Sequence, residues 1–167
     1  MAADPAPAGT RVLVIGVGNP IMSDDGVGQR LLEALAARLP ALDGVEYLDA
    51  GTLGFLLLPR IEQADALLVL DAAQFDAAPG TVRVLEGATL DAFLRAPRCS
   101  VHELGLRDLL DAARLTDSLP ARRALVGVQP RRVGVGEALS PAVAAAIPAA
   151  ADAARAVLEA WSAPAAR

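Results

Sequence analysis

The sequence predicts an α/β fold: a single twisted, mostly parallel five-stranded sheet with helices on both faces and one antiparallel edge strand. Three observations carry this expectation. Short β-branched or apolar runs alternate with stretches of helical periodicity. The first, third and fifth runs are apolar almost throughout, as in strands covered on both faces. The fourth follows a turn too closely for a helical crossover. The 167 residues and 54% hydrophobic content fit one compact domain, placed at residues 11–161, with 1–10 and 162–167 as loose termini.

The expected strands are VLVIG (Val12 to Gly16), VEYLDA (Val45 to Ala50), ALLVLD (Ala66 to Asp71), TVRVLEG (Thr81 to Gly87) and ALVGVQ (Ala124 to Gln129). TVRVLEG comes directly after Ala78-Pro79-Gly80 and is therefore the antiparallel edge. Between the strands, Val27, Leu31 and Leu35 recur at four-residue spacing in a helix that Ser23 can cap, with Asp24 and Asp25 in its positively polarised first turn. A second helix carries Leu106, Leu109, Leu110 and Ala113, and a third, after Pro141, ends with Ala154, Leu158 and Trp161. Pro148 is expected to kink or divide this last helix.

Composition excludes several classes of function. The formal charge is −5 and the basic residues are scattered, so no stripe suits nucleic acid or anionic lipid. All fifteen basic residues are arginine, which removes Schiff bases, pyridoxal phosphate and the Gly-Lys-Ser/Thr phosphate loop. Cys99 is the only cysteine, so an internal disulfide and a cysteine-built zinc site are both excluded. MAADPAPAGT has no basic stretch followed by an apolar core, and charges or turn residues interrupt every apolar run short of a membrane span. The expectation is a cytoplasmic protein that engages neither nucleic acid nor membrane.

Chemistry concentrates where the strands end. In open α/β sheets the functional crevice lies beyond the carboxyl ends of the strands, where acids after the first and third strands can converge. Asp24, Asp25 and Asp71 meet that condition. Asp24 and Asp25 also fit a plain helix start, whereas Asp71 closes an apolar run in which an unpaired carboxylate loses hydration. His102, the only histidine, lies in CSVHELGL just ahead of the second helix. Two carboxylates and one imidazole make a mixed oxygen and nitrogen set suited to a divalent transition metal with positions left open. The competing patterns are weaker. Gly16-Val17-Gly18-Asn19-Pro20-Ile21 has Ile21 where a dinucleotide fingerprint needs its third glycine, a phosphorelay receiver needs a lysine, and Cys99 with His102 makes a thiol nucleophile only if geometry joins them.

These residues together resemble the nickel-iron hydrogenase maturation endopeptidases. GVGNPIMSDDGVG (Gly16 to Gly28) looks like the family's opening motif, LDAGTLG (Leu48 to Gly54) its second, LVLDAA (Leu68 to Ala73) its third and SVHELGL (Ser100 to Leu106) its histidine motif. VGVQP (Val126 to Pro130) and ALSPAV (Ala138 to Val143) fit its C-terminal signature. The resemblance implies removal of a short C-terminal extension from a hydrogenase large-subunit precursor after nickel insertion, by a monomeric protein. By the same resemblance Asp25, Asp71 and His102 are the metal-contacting and catalytic positions, with the nickel supplied by the precursor, and Asp24 supports the turn and helix start. Gly18, Asn19 and the Gly51-Thr52 loop are supporting residues, since glycine admits close backbone approach and asparagine both donates and accepts.

Overall fold

A computed structural model of the protein describes residues 10–39, 42–52, 54–97 and 101–162, with 101–104 described by their backbone alone. The expected strands are present as β1 (Val12–Val17), β2 (Val45–Gly51), β3 (Ala66–Ala72), β4 (Val82–Glu86) and β5 (Arg122–Val128). The helices are α1 (Val27–Arg38), α2 (Leu58–Glu62), α3 (Gly87–Leu94), α4 (Val101–Leu115) and α5 (Pro141–Ser162). The strands form one sheet in the order β2-β1-β3-β5-β4. Three neighbouring pairs are parallel and β4 pairs with β5 antiparallel, as the short turn before it requires.

Strand alternation divides the core in two. Val12, Val14, Leu68 and Leu70 face one side with Leu31 and Leu35 of α1 and Ala154 and Leu158 of α5. Leu13, Ile15, Leu67 and Val69 face the other with Ile61 of α2, Leu90 of α3 and Leu106, Leu109 and Leu110 of α4. Both faces are therefore covered, and β1 and β3 are buried throughout.

Four local expectations need correction. Ser23 caps no helix: its side chain makes no capping hydrogen bond, and α1 begins only at Val27, after a 3₁₀ turn over Asp24–Gly26. The two aspartates precede α1 rather than occupying its first turn. His102 lies inside α4 rather than ahead of it. Pro148 does not divide α5, which runs unbroken for 22 residues. Each of Val143, Val157 and Leu158 is buried and contributes about 1.5–3 kcal/mol, which together exceed the proline penalty of about 3 kcal/mol. By length and hydropathy alone α5 is also long enough to cross a membrane, but its inner face is core, while Asp152 and Glu159 on its outer face are exposed.

Candidate active site

β1 is followed by β2 on one side of it and by β3 on the other, so the chain's connections reverse direction between β1 and β3. That switch point opens a crevice at the carboxyl edge of the sheet. The chain leaving β1 enters it through the 3₁₀ turn, which packs against β3. Gly28 makes this approach possible: a Cβ there would lie 2.1 Å from the Val17 carbonyl oxygen and 2.5 Å from that of Leu70. Only a residue without a side chain brings the start of α1 so close to both strand ends.

The turn is strained and held from outside. Asp25 N–H donates to the Met22 carbonyl at 3.3 Å, closing a turn in which Ser23 has φ 54° and ψ −123°. Glycine normally takes this conformation, and for other residues it costs about 1–3 kcal/mol. The segment 133–140 offsets the cost. Ser23 N–H donates to the Gly136 carbonyl at 2.6 Å, and its hydroxyl donates to that of Gly134 at 2.7 Å.

The two adjacent aspartates have different roles. Asp24 is wholly buried. Its Oδ2 accepts the peptide N–H groups of Arg131 at 2.9 Å and Arg132 at 3.0 Å and the Ser140 hydroxyl at 2.9 Å, while Oδ1 accepts Ser140 N–H at 2.6 Å. Burial alone would raise its pKa, but these four bonds outweigh it and hold the carboxyl below the ordinary carboxylate range. With four donors on a group that has about four acceptor sites, Asp24 is a structural clamp. Its partners lie in the connection from β5 to α5, a longer reach than the local turn support expected of it. Asp25 is half-buried, and its Oδ2 accepts Asn19 N–H at 2.8 Å.

Asp71 continues the alternation of Leu67 and Val69 and so points to the α4 side of the sheet, where it is 4% exposed. α4 leads into a strand parallel to β3, so the helix runs back along the sheet and starts at the carboxyl edge. Gly105 and Asp108 of its second turn share a small cleft with Gly54 and Phe55, just past the end of β2. The backbone of His102, one turn earlier, is therefore on the same edge and the same side as Asp71. Among the described side chains no group of three His, Cys, Asp or Glu is placed to hold a metal, and the His102 side chain lies outside them. Cys99 also lies outside the described residues.

Several supporting residues were not anticipated. Gln29 is buried and donates to the Gly18 carbonyl at 2.6 Å and to Asp49 Oδ1 at 3.2 Å; Asp49 Oδ1 also accepts Gly51 N–H at 2.9 Å. Gly18 N–H donates to the Gly51 carbonyl at 2.7 Å, which joins the loops after β1 and β2 as one unit. Gln129, also buried, accepts Phe75 N–H at 2.7 Å and donates to Gln74 Oε1 at 2.8 Å, fixing the loop after Asp71. Gln129 lies in the VGVQP motif, which was the available signal. Ser140 likewise lies in the ALSPAV motif, whereas Gln29 had no such signal.

Fold and edge together define an open α/β protein of the switch-point type, with an acidic site and without lysine. Comparison with known proteins carries this further. The hydrogenase maturation protease (HycI) family model matches residues 29–157. The chain is 40% identical over 152 residues to the hydrogenase expression/formation protein HupD of Rhodobacter capsulatus, spanning 90% of this chain and 72% of that protein. It is 41% identical over 138 residues to the hydrogenase 2 maturation protease of Escherichia coli (strain K12), spanning 82% of this chain and 84% of that one. The chain spans 57% and 59% of two longer curated relatives. The solved structure of the E. coli hydrogenase maturating endopeptidase HybD superposes with a TM-score of 0.85 at 37% identity, covering 93% of this chain and 98% of that one. The chain belongs to the hydrogenase maturation protease family, as its motifs led us to expect.

Proposed function

We propose that this protein removes the C-terminal extension of a nickel-iron hydrogenase large-subunit precursor after nickel insertion, and that the nickel held by the precursor is what it recognises. Asp25, Asp71 and His102 complete the coordination of that nickel. Carboxylate and neutral imidazole hold nickel less strongly than the softer thiolates of a precursor, so the metal arrives with the substrate and leaves with the product. A precursor without nickel lacks the third party that joins the two proteins, and its scissile bond is not positioned. Once positioned, the scissile carbonyl is polarised or a water activated at the metal, and a site carboxylate moves the proton. The protein works as a monomer in the cytoplasm, where its single thiol stays reduced.

The observation that supports this reading best is the placement of Asp71. It is a nearly buried carboxylate at the end of a fully buried strand, at the switch point, on the side where α4 begins. A carboxylate in that position presents hard oxygen donors at the edge where the backbone of His102 also lies, the mixed oxygen and nitrogen set that suits a divalent transition metal delivered by the substrate. The test is intact-mass analysis of a purified large-subunit precursor, with and without nickel, incubated with a trace of this protein. Nickel-dependent loss of a C-terminal peptide over many turnovers is expected. No loss from the loaded precursor, or equal loss from the nickel-free one, overturns the proposal.

A further inference from the structure

Beside Asp71 a second concavity, of about 460 Å³, lies between the loop after β3, strand β4 and helix α3. Its volume falls in the range of ligand pockets, about 300–1,000 Å³. Phe75, Leu85 and Phe93 supply its apolar surface, and all three are only half-buried. The Phe75 and Phe93 rings pack at a centroid separation of 5.4 Å, and the Arg83 guanidinium lies 5.1 Å above the Phe75 ring.

Sheet register relates this pocket to the site. Asp71 pairs with Gly127 on β5, and Gly127 pairs with Arg83 on β4, so the three occupy one row across adjacent strands. Strands about 4.8 Å apart put Asp71 and Arg83 about 10 Å from each other at the backbone, with their side chains on the same face. Gly127 leaves that face open for the ring: a Cβ there would meet Phe75 Cζ at 2.5 Å. Gln129 holds the Phe75 backbone in place, so the aromatic wall is preorganised.

We infer that this pocket is a specificity subsite, which receives an apolar side chain of the precursor within about three residues of the bond cleaved, since an extended chain advances about 3.3 Å per residue. The inference rests on the proposed cleavage reaction and adds to it where the chain beside the scissile bond lies. The metal contacts recognise loading, and the pocket recognises sequence. Arg83 makes no ion pair among the described residues, so its N–H groups are available to carbonyls of the bound chain.

Thr89, exposed on α3 at the rim, allows a test that leaves the core untouched. Thr89→Trp fills the pocket, and Phe93→Ala deepens it. Both are assayed for kcat/KM against nickel-loaded precursor and a panel in which each residue within three of the scissile bond is changed singly to Asp. Thr89→Trp should lower kcat/KM about tenfold or more on the native precursor. One Asp substitution should be harmful to wild-type enzyme and nearly without further effect in Thr89→Trp. Phe93→Ala should be slow on the native residue and recover with a bulkier apolar one at that same position. Unchanged cleavage by Thr89→Trp, or losses that add equally at every precursor position, overturns the inference. If wild-type protein cleaves nothing, the cleavage reading fails by itself and calorimetric affinity for the precursor decides the pocket. Binding at least tenfold tighter by wild type than by Thr89→Trp supports the subsite; equal binding, or none by either, overturns it.

Discussion

Replacing Asp24 by asparagine keeps the shape of the side chain and exchanges one acceptor oxygen for an amide donor. The less costly orientation puts the new NH₂ at Oδ1, where it meets Ser140 N–H donor to donor; the other sets it against Arg131 N–H, Arg132 N–H and the Ser140 hydroxyl. Even the better orientation loses one hydrogen bond to a charged acceptor, about 1.5–3 kcal/mol, and weakens the remaining three, because charge-assisted bonds are roughly twice as strong as neutral ones. A neutral amide is easier to bury than a carboxylate, and this returns part of the loss. The net expectation is about 3 kcal/mol, or a fall in Tm of roughly 6–12 °C for a chain of this size. Urea titration at pH 7 measures it. Because Asp24 has a depressed pKa in the fold, its contribution is present in full above the unfolded value near 3.9 and is lost as pH falls through the folded one. The gap between wild type and variant should therefore narrow in acid. Ser140→Ala removes only the hydroxyl donor, and its effect should be smaller when combined with Asp24→Asn than alone. A variant within about 1 kcal/mol of wild type at pH 7 would refute the clamp and return Asp24 to consideration as a site acid.

Asp71→Asn and His102→Ala should each abolish precursor processing by intact-mass assay while circular dichroism and urea midpoints stay close to wild type, since neither removes core volume; normal cleavage by either folded variant would end its assignment as a ligand. Asp91 is held below the ordinary carboxylate range chiefly by its hydrogen bonds from Arg123, against the opposing effect of burial, with the charges of Arg123, Arg114 and Arg95 adding to it. Its stabilisation is thus complete above the unfolded pKa near 3.9 and disappears as pH falls through the folded value, so Asp91→Asn should cost about 1.5–3 kcal/mol at neutral pH and show a shallower acid limb in urea midpoints measured from pH 6 to pH 2. Gly28→Ala should cost about 3 kcal/mol and impair processing together with stability, because the added methyl must push α1 away from the ends of β1 and β3; a stable, fully active variant would contradict the close approach.

The sheet could be read from the sequence because β1, β3 and β5 are apolar runs too short for helices, and because Pro79-Gly80 leaves no room for a crossover before β4. Helix α3 escaped notice for a physical reason. Its eight residues bury only Leu90 and Leu94, too few to establish a period, and α2 is shorter still, with Pro59 at its start. Asp71 stood out because a carboxylate ending ALLVL has few innocuous explanations. The division of labour between Asp24 and Asp25 did not: the partners that distinguish them, Arg131, Arg132 and Ser140, are 107 to 116 residues away and no local pattern points to them. The pocket was likewise hidden, since Phe75, Leu85 and Phe93 come from a loop, a strand and a helix that meet only after β4 has paired with β5.

The tie between Asp24 and Ser140 spans 116 positions. Contacts of such high order form late, and a chain made from its N-terminus carries the acidic turn long before the residues that set it exist. Until the segment leading into α5 has been synthesised and docked, Ser23 lacks the carbonyls of Gly134 and Gly136 that hold its strained conformation, and Asp24 lacks all four of its donors. A nascent or truncated chain can therefore contain Asp25, Asp71 and His102 and still lack the clamped turn that precedes α1, which is completed only when residues 131–140 are in place.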